Sequence, residues 1–326
     1  LENKLNPITI KNFTTESGVV CPVLNLTFEV FGPALHTAPV VLVNHALTGN
    51  SRVVGIDGWW NDLIGDNKTI DTNKYTVIAF NIPGNGYDKT TIDNYTDFKT
   101  RDIAQLFIQG IQFLEIDQLY ALIGGSVGGG IAWEMLALEP KITQHLIPIA
   151  TDWKSTDWLI ANCFLQEQIL NNSSRPIEDA RAHAMLCYRT PESFKQKFQR
   201  TRNEELAIFN VESWLLHHGQ KLQKRFQLSS YKMMNQLLKT IDITRNSESF
   251  EVLASKIEAE IHIIGIDSDL FFTAKENKET YQELKKLHVK VSYQEIKSVH
   301  GHDAFLIEYE QLNNLLADIF KGNNKI

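Results

Sequence analysis

Leu119-Tyr120-Ala121-Leu122-Ile123-Gly124-Gly125-Ser126-Val127-Gly128 carries an apolar run straight into a serine set among glycines, and Gly130-Ile131-Ala132-Trp133-Glu134-Met135-Leu136-Ala137-Leu138 follows it. The first part has the length and composition of a buried strand, the last that of a helix, with a tight turn between them. A serine in such a turn sits on strained backbone, and side chains beside it would collide with the adjoining strand and helix; glycine avoids the collision. The turn is expected to lift the Ser126 hydroxyl above the sheet, next to a helix N-terminus and the Val127 N–H. Taken alone, Gly-x-Ser-x-Gly is as readily a plain glycine-rich turn. The strand before it and the helix after it select the nucleophile reading.

Working outward, strands are predicted over Val23–Phe31, Val40–His45, Tyr75–Asn81, Leu119–Gly124, His145–Ile149, Ile261–Ile266 and Val289–Ile296. Helices are predicted over Lys99–Leu114, Gly129–Leu138, Ala274–Leu287 and Asp303–Phe320. This alternation is the pattern of a mostly parallel sheet with helices on both faces, and continuous runs such as Val40-Val41-Leu42-Val43 suit strands buried on both sides. Between 151 and 255 the rhythm stops, and amphipathic helices such as Glu192–Arg200 and Ser229–Thr240 take over with no strand among them. The expectation is an α/β core formed by 1–150 and 256–326, with 151–255 inserted as a helical lid over the active-site end of the sheet.

The bulk properties narrow the function. At 326 residues, 43% apolar and 22% charged, the chain has an ordinary globular composition. A formal charge of −7 offers no basic footprint for nucleic acid. No apolar run approaches the roughly 18–20 residues of a membrane span. The opening Leu1-Glu2-Asn3-Lys4-Leu5-Asn6-Pro7 has no apolar secretory core, so a cytoplasmic setting is expected. Cys21, Cys163 and Cys187 lack paired or ligand-like spacing and read as reduced thiols. No His-Glu-x-x-His or similar ligand spacing appears, so neither a metal nor a prosthetic group is expected. The tail from Lys321 to Ile326 reads as frayed.

A serine nucleophile needs a base, and the base needs an acid to hold its tautomer. When they follow such a turn, these partners come in the order acid, then histidine. Asp267 and Asp269 both end the Ile261–Ile266 strand; Asp269 is preferred because the apolar anchor Leu270-Phe271-Phe272 follows it directly. His300 and His302 both follow the last strand; His302 is preferred as the residue opening the C-terminal helix. The competing reading for all four is a polar loop at a strand end. An oxyanion hole needs a second backbone donor from an early loop. Asn44-His45-Ala46-Leu47-Thr48-Gly49 supplies it, with the Leu47 N–H paired with that of Val127 and His45 as a brace.

His45-Ala46-Leu47-Thr48-Gly49, Gly58-Trp59-Trp60, Leu63-Ile64-Gly65, Ile70-Asp71-Thr72 and Gly124-Gly125-Ser126-Val127-Gly128-Gly129 together resemble the homoserine O-acetyltransferases of methionine biosynthesis. So do Ala180-Arg181, the stretch from Tyr188 to Phe194, Ser268-Asp269-Leu270-Phe271-Phe272 and Gly301-His302-Asp303-Ala304-Phe305-Leu306. The resemblance spans nearly the whole chain. It implies an α/β-hydrolase fold with a helical lid, a homodimer, and Ser126, Asp269 and His302 as the triad. It also implies ping-pong acyl transfer, with acetyl-CoA as a substrate rather than a cofactor and L-homoserine as acceptor. Asp303 would meet the homoserine ammonium, or else serve as a first-turn carboxylate on the helix dipole. The family's Gln-Arg-Gln stretch reads Gln166-Glu167-Gln168 here, and its Arg-Phe-Asp reads Arg225-Phe226-Gln227. Contact with the acceptor carboxylate then falls to Arg181 or Arg225, or the acceptor differs. The turn itself ends Gly128-Gly129-Gly130 where the family has methionine last, which alters the pocket wall. The alternatives are a serine-dependent ester hydrolase or an acyltransferase with another acceptor; a non-catalytic binding relative is disfavoured by the complete triad.

Overall fold

Strands form where the apolar runs stand: β1 (Asn6–Thr14), β2 (Val20–Phe31), β3 (Val40–Asn44), β4 (Thr76–Phe80), β5 (Leu119–Gly125), β6 (Thr143–Ile149), β7 (Glu260–Ile266) and β8 (Val291–Ile296). They make one sheet in the order β1-β2-β4-β3-β5-β6-β7-β8 in this computed structural model, which describes residues 4–245 and 249–321. β1 and β2 pair antiparallel, as do β2 and β4, and every later pairing is parallel. Residues 1–3 of the opening segment and all of the expected frayed tail beyond Lys321 lie outside the described residues.

The central strands β3, β4 and β5 are buried at every position. Leu119, Leu122 and Ile123 of β5 are wholly buried, each contributing about 1.5–3 kcal/mol. Helix α1 (Thr100–Phe113) packs against α2 (Val127–Leu138). Helix α2 is apolar almost all round and buried on nearly every side, which marks it as a core helix.

Between β6 and β7 lie α3 (Asp157–Asn172), α4 (Pro176–Tyr188), α5 (Pro191–Phe198), α6 (Asn210–Gln223), α7 (Leu228–Lys239) and the short α8 (Phe250–Ala254). Contrary to the strand-free expectation, Arg202–Asn203 and Ile208–Phe209 pair antiparallel within this stretch. The chain leaving α7 is tied to the core at Glu134 of α2, which is fully buried. Glu134 accepts from Arg101 Nε at 2.9 Å and from the Asp242 N–H at 3.3 Å, and it pairs with Arg245. Arg101 also donates to the Ile243 carbonyl at 2.7 Å. A Cβ at Gly130 would stand 2.4 Å from Ile241, so that isoleucine occupies the space a larger residue would take.

After β7 come α9 (Ala274–Lys286), β8, a 3-10 turn over Gly301–Leu306 and α10 (Tyr309–Phe320). The single C-terminal helix expected from Asp303 to Phe320 is thus two elements. Gly301 takes a left-handed φ of +65°, and the tight turn ends at Ile307 before α10 begins.

Candidate active site

Ser126 adopts φ 56° and ψ −129°, at the N-cap of α2 and directly after β5. Its N–H donates to the Ile149 carbonyl at 3.0 Å, pinning the turn to β6. Glycine is required on both sides by close approach: a Cβ at Gly124 would lie 2.5 Å from the Gly128 carbonyl, and one at Gly128 would lie 2.3 Å from the Asn44 oxygen. The same contact brings the end of β3 against the turn, and the Asn44 side-chain amide donates to the Gly128 carbonyl at 3.3 Å.

The Ser126 hydroxyl donates to His302 Nε2 at 2.9 Å, and His302 Nδ1–H donates to Asp269 Oδ2 at 2.8 Å. All three residues are at most 4% exposed. The other Asp269 oxygen accepts the N–H groups of Phe271 at 2.7 Å and Phe272 at 3.1 Å, so the acid is fixed from behind. Thr273 then caps α9. Phe271, Phe272, Tyr188 and Phe305 surround the imidazole with ring centroids 5.1–5.9 Å away. A hydroxyl, an imidazole and a carboxylate in this line can deprotonate the serine and stabilise the imidazolium that results.

The rival residues are engaged elsewhere. Asp267 accepts the Ser298 N–H at 3.0 Å. His300 Nδ1 faces Ser193 Oγ at 3.1 Å and Arg189 at 3.3 Å. Asp303, next to His302 on the 3-10 turn, is held by Arg189 Nε at 3.0 Å.

Leu47 follows β3 and is buried, on a turn closed by the Gly49 N–H donating to the Ala46 carbonyl. Val127 is the first residue of α2, where no helical carbonyl is available to its N–H. His45 fastens this loop: Nδ1–H donates to the Ala46 carbonyl at 2.8 Å and Nε2 accepts the Ile82 N–H at 3.0 Å. Its ring is completely buried, and desolvation lowers its pKa from 6.5 to about 4, so it stays neutral. Arg225 donates to the Thr48 carbonyl at 2.9 Å and braces the same loop from the inserted helices.

Beside the triad, a narrow pocket is lined by Leu47, Phe271 and Tyr188 on one side and by Asn162, Gln166 and Tyr231 on the other. Arg181 lies over the Tyr188 ring at 5.6 Å, and it has no carboxylate partner among the described residues. Glu167 is a correction to the sequence reading. It pairs with Lys239 at 3.5 Å and lines a separate depression with Tyr95 and Lys232, while Gln166 faces the main pocket. Adjacent residues on a helix point about 100° apart, so the repulsive position lies off the pocket. Neither Arg225 nor Arg181 lines the pocket itself; Arg225 is committed to the Thr48 carbonyl, whereas Arg181 lies against the wall residue Tyr188. The sequence reading missed Asn162, Tyr188 and Tyr231 as wall residues; only the helical spacing of the insert could have signalled them.

Residues 39–306 match the sequence pattern of the alpha/beta hydrolase fold. A homoserine O-acetyltransferase from Cyclobacterium marinum is 32% identical over 95% of this chain and 93% of its own length. Among solved structures, a homoserine O-acetyltransferase from Bacillus anthracis shares the fold with a TM-score of 0.88 at 19% identity, covering 99% of this chain and 98% of its own. An acetylester hydrolase from Corynebacterium glutamicum does so at 0.83 and 17% identity, covering 98% and 96%. The fold and the buried serine turn are those of the alpha/beta hydrolases. Within that class, the chain belongs to the homoserine O-acetyltransferase family and is an enzyme. Among the described residues, no helix is long and apolar enough to cross a membrane.

Proposed function

We propose that this enzyme moves an acetyl group from acetyl-CoA to the hydroxyl of L-homoserine through an acyl-Ser126 intermediate. The observation that carries the reading is the buried Ser126–His302–Asp269 hydrogen-bond line beside the narrow pocket; the homoserine O-acetyltransferases among its relatives point to the acceptor and the acyl group.

Ser126 attacks the thioester carbonyl as His302 takes its proton, and Asp269 stabilises the imidazolium. The N–H groups of Leu47 and Val127 hold the developing oxyanion, each worth on the order of 2.7–4 kcal/mol. The thiolate leaves with the proton from His302. The homoserine hydroxyl then enters, gives its proton to His302 and takes the acetyl group, returning Ser126 to its starting state. Asp303 meets the ammonium, and Arg181, the uncommitted cation at Tyr188, meets the carboxylate. No cofactor takes part.

The segment 151–255 acts as the lid. Tyr188 of α4 lies over His302, and Trp158 of α3 donates to the Leu270 carbonyl at 2.6 Å. Exclusion of water by this roof favours transfer over hydrolysis. Trp158, Phe164, Leu165 and Leu186 stay exposed on the insert and form the surface for a homodimer. The setting is the cytoplasm, where the acetyl ester serves methionine biosynthesis.

The test is thiol release from acetyl-CoA with and without L-homoserine. Release that requires homoserine and yields O-acetylhomoserine supports the reading. Turnover of simple acetyl esters with no homoserine effect would replace it with an ester hydrolase.

A further inference from the structure

At the N-terminal edge of the sheet, opposite the serine turn, β6 and β7 place three ligating side chains together. Glu260 and His262 are two residues apart on β7 and therefore share a face. Glu260 pairs in register with His145 on β6, which brings His145 Nδ1 to 3.1 Å from His262 Nε2 and 3.9 Å from Glu260 Oε2. One ligand atom from each residue falls within 4.8 Å of the others. We propose that His145, His262 and Glu260 form a binding site for a divalent transition metal, Zn²⁺ first, separate from the active site.

The donor set is the argument. Two imidazoles and one carboxylate suit zinc, with bonds of about 2.0–2.2 Å and hence ligand atoms about 3.3 Å apart in a tetrahedron. The two ring nitrogens already stand near that separation, and the half-exposed Glu260 carboxylate closes on them by side-chain rotation. Without metal, one proton bridges the facing nitrogens. With metal, His145 carries that proton on its other nitrogen, and both rings turn so that the two lone pairs converge on an ion beside the line between them, with no net proton released. His262 is oriented from behind, where its Nδ1 lies 3.1 Å from Ser292 Oγ on β8, an outer partner of the kind that fixes a ligating tautomer. The fourth position opens toward solvent beside Glu260. A bound ion would clip β6 to β7.

The experiment uses the full chain, stripped with chelator and titrated with Zn²⁺ by calorimetry, with thermal melting followed in parallel. Wild type is expected to take up one equivalent and to melt at higher temperature. His262→Gln and Glu260→Gln each remove a direct ligand and should weaken binding by at least about a hundredfold, more than loss of an outer partner would. The Glu260 variant, at the exposed rim, keeps the test valid if the histidine variant folds poorly. Ser126→Ala should bind as wild type does. Failure of wild type to bind, unchanged affinity in Glu260→Gln, or loss of binding in His302→Ala alone would overturn the proposal.

Discussion

Arg189 Nε donates to Asp303 at 3.0 Å, and both side chains are largely buried. The carboxylate beside the histidine base therefore already carries a counter-charge, and Arg189 also reaches His300. A substrate ammonium meeting Asp303 shares it with this arginine. Asp303→Asn is expected to raise the KM for L-homoserine about tenfold or more, the worth of one charged hydrogen bond. The burst of thiol released from acetyl-CoA before acceptor arrives should stay unchanged. An equal loss in the burst would show that Asp303 supports His302 rather than the acceptor.

Ser126→Ala should abolish thiol release while leaving the circular dichroism spectrum intact. Asp269→Asn keeps the Phe271 and Phe272 amides within reach but presents the wrong partner to His302, and a fall of about 10⁴-fold in kcat is expected. Substantial residual turnover in the Ser126 variant would place the nucleophile elsewhere.

Protonating the buried His45 would break its acceptor bond from the Ile82 N–H. Its folded pKa of about 4 lies below the 6.5 of the free group, so the unfolded chain binds more protons between these values. Stability is then lost as pH falls from about 6.5 toward 4, by roughly 3 kcal/mol in full. Buried Asp152, raised to about 7 by desolvation, works in the opposite sense across much of that range. The comparison of melting temperatures between wild type and His45→Gln isolates the histidine. The variant should be less stable at pH 7 and lose less on acidification; parallel curves would count against the brace.

Glu167→Arg should leave the KM for carboxylate-bearing acceptors within about twofold, with a small stability change from the lost Lys239 pair. Arg181→Ala should raise that KM instead. Steady-state kinetics on the two variants decide which side chain addresses the pocket.

The parallel core was legible because β3 and β5 are near-unbroken apolar runs, which only strands buried on both faces tolerate. β1 was not: Ile8, Ile10 and Phe13 face inward between polar neighbours, and a sheet-edge strand of mixed composition gives a weak signal. The line of Ser126, Asp269 and His302 was legible from chain order only down to Asp267 or Asp269 and His300 or His302, since strand ends fix where such groups emerge; the apolar run after Asp269 and the element opening at His302 chose within each pair. The direction each lid residue faces was not, because Gln166 and Glu167 differ by a helical rotation that depends on how α3 packs. The histidine pair of β6 and β7 was invisible for another reason. Its members lie 117 residues apart and meet only through sheet register.

Glu134 sits two turns down the helix that begins at Ser126, and it grips the chain returning from the insert through Arg101, Arg245 and the Asp242 N–H. The inserted helices and the Ser126 turn thus hang from one rod. Breaking this buried charge cluster by removing one partner costs about 3–5 kcal/mol, and the damage would reach both ends at once, loosening the cover while tilting the serine it covers.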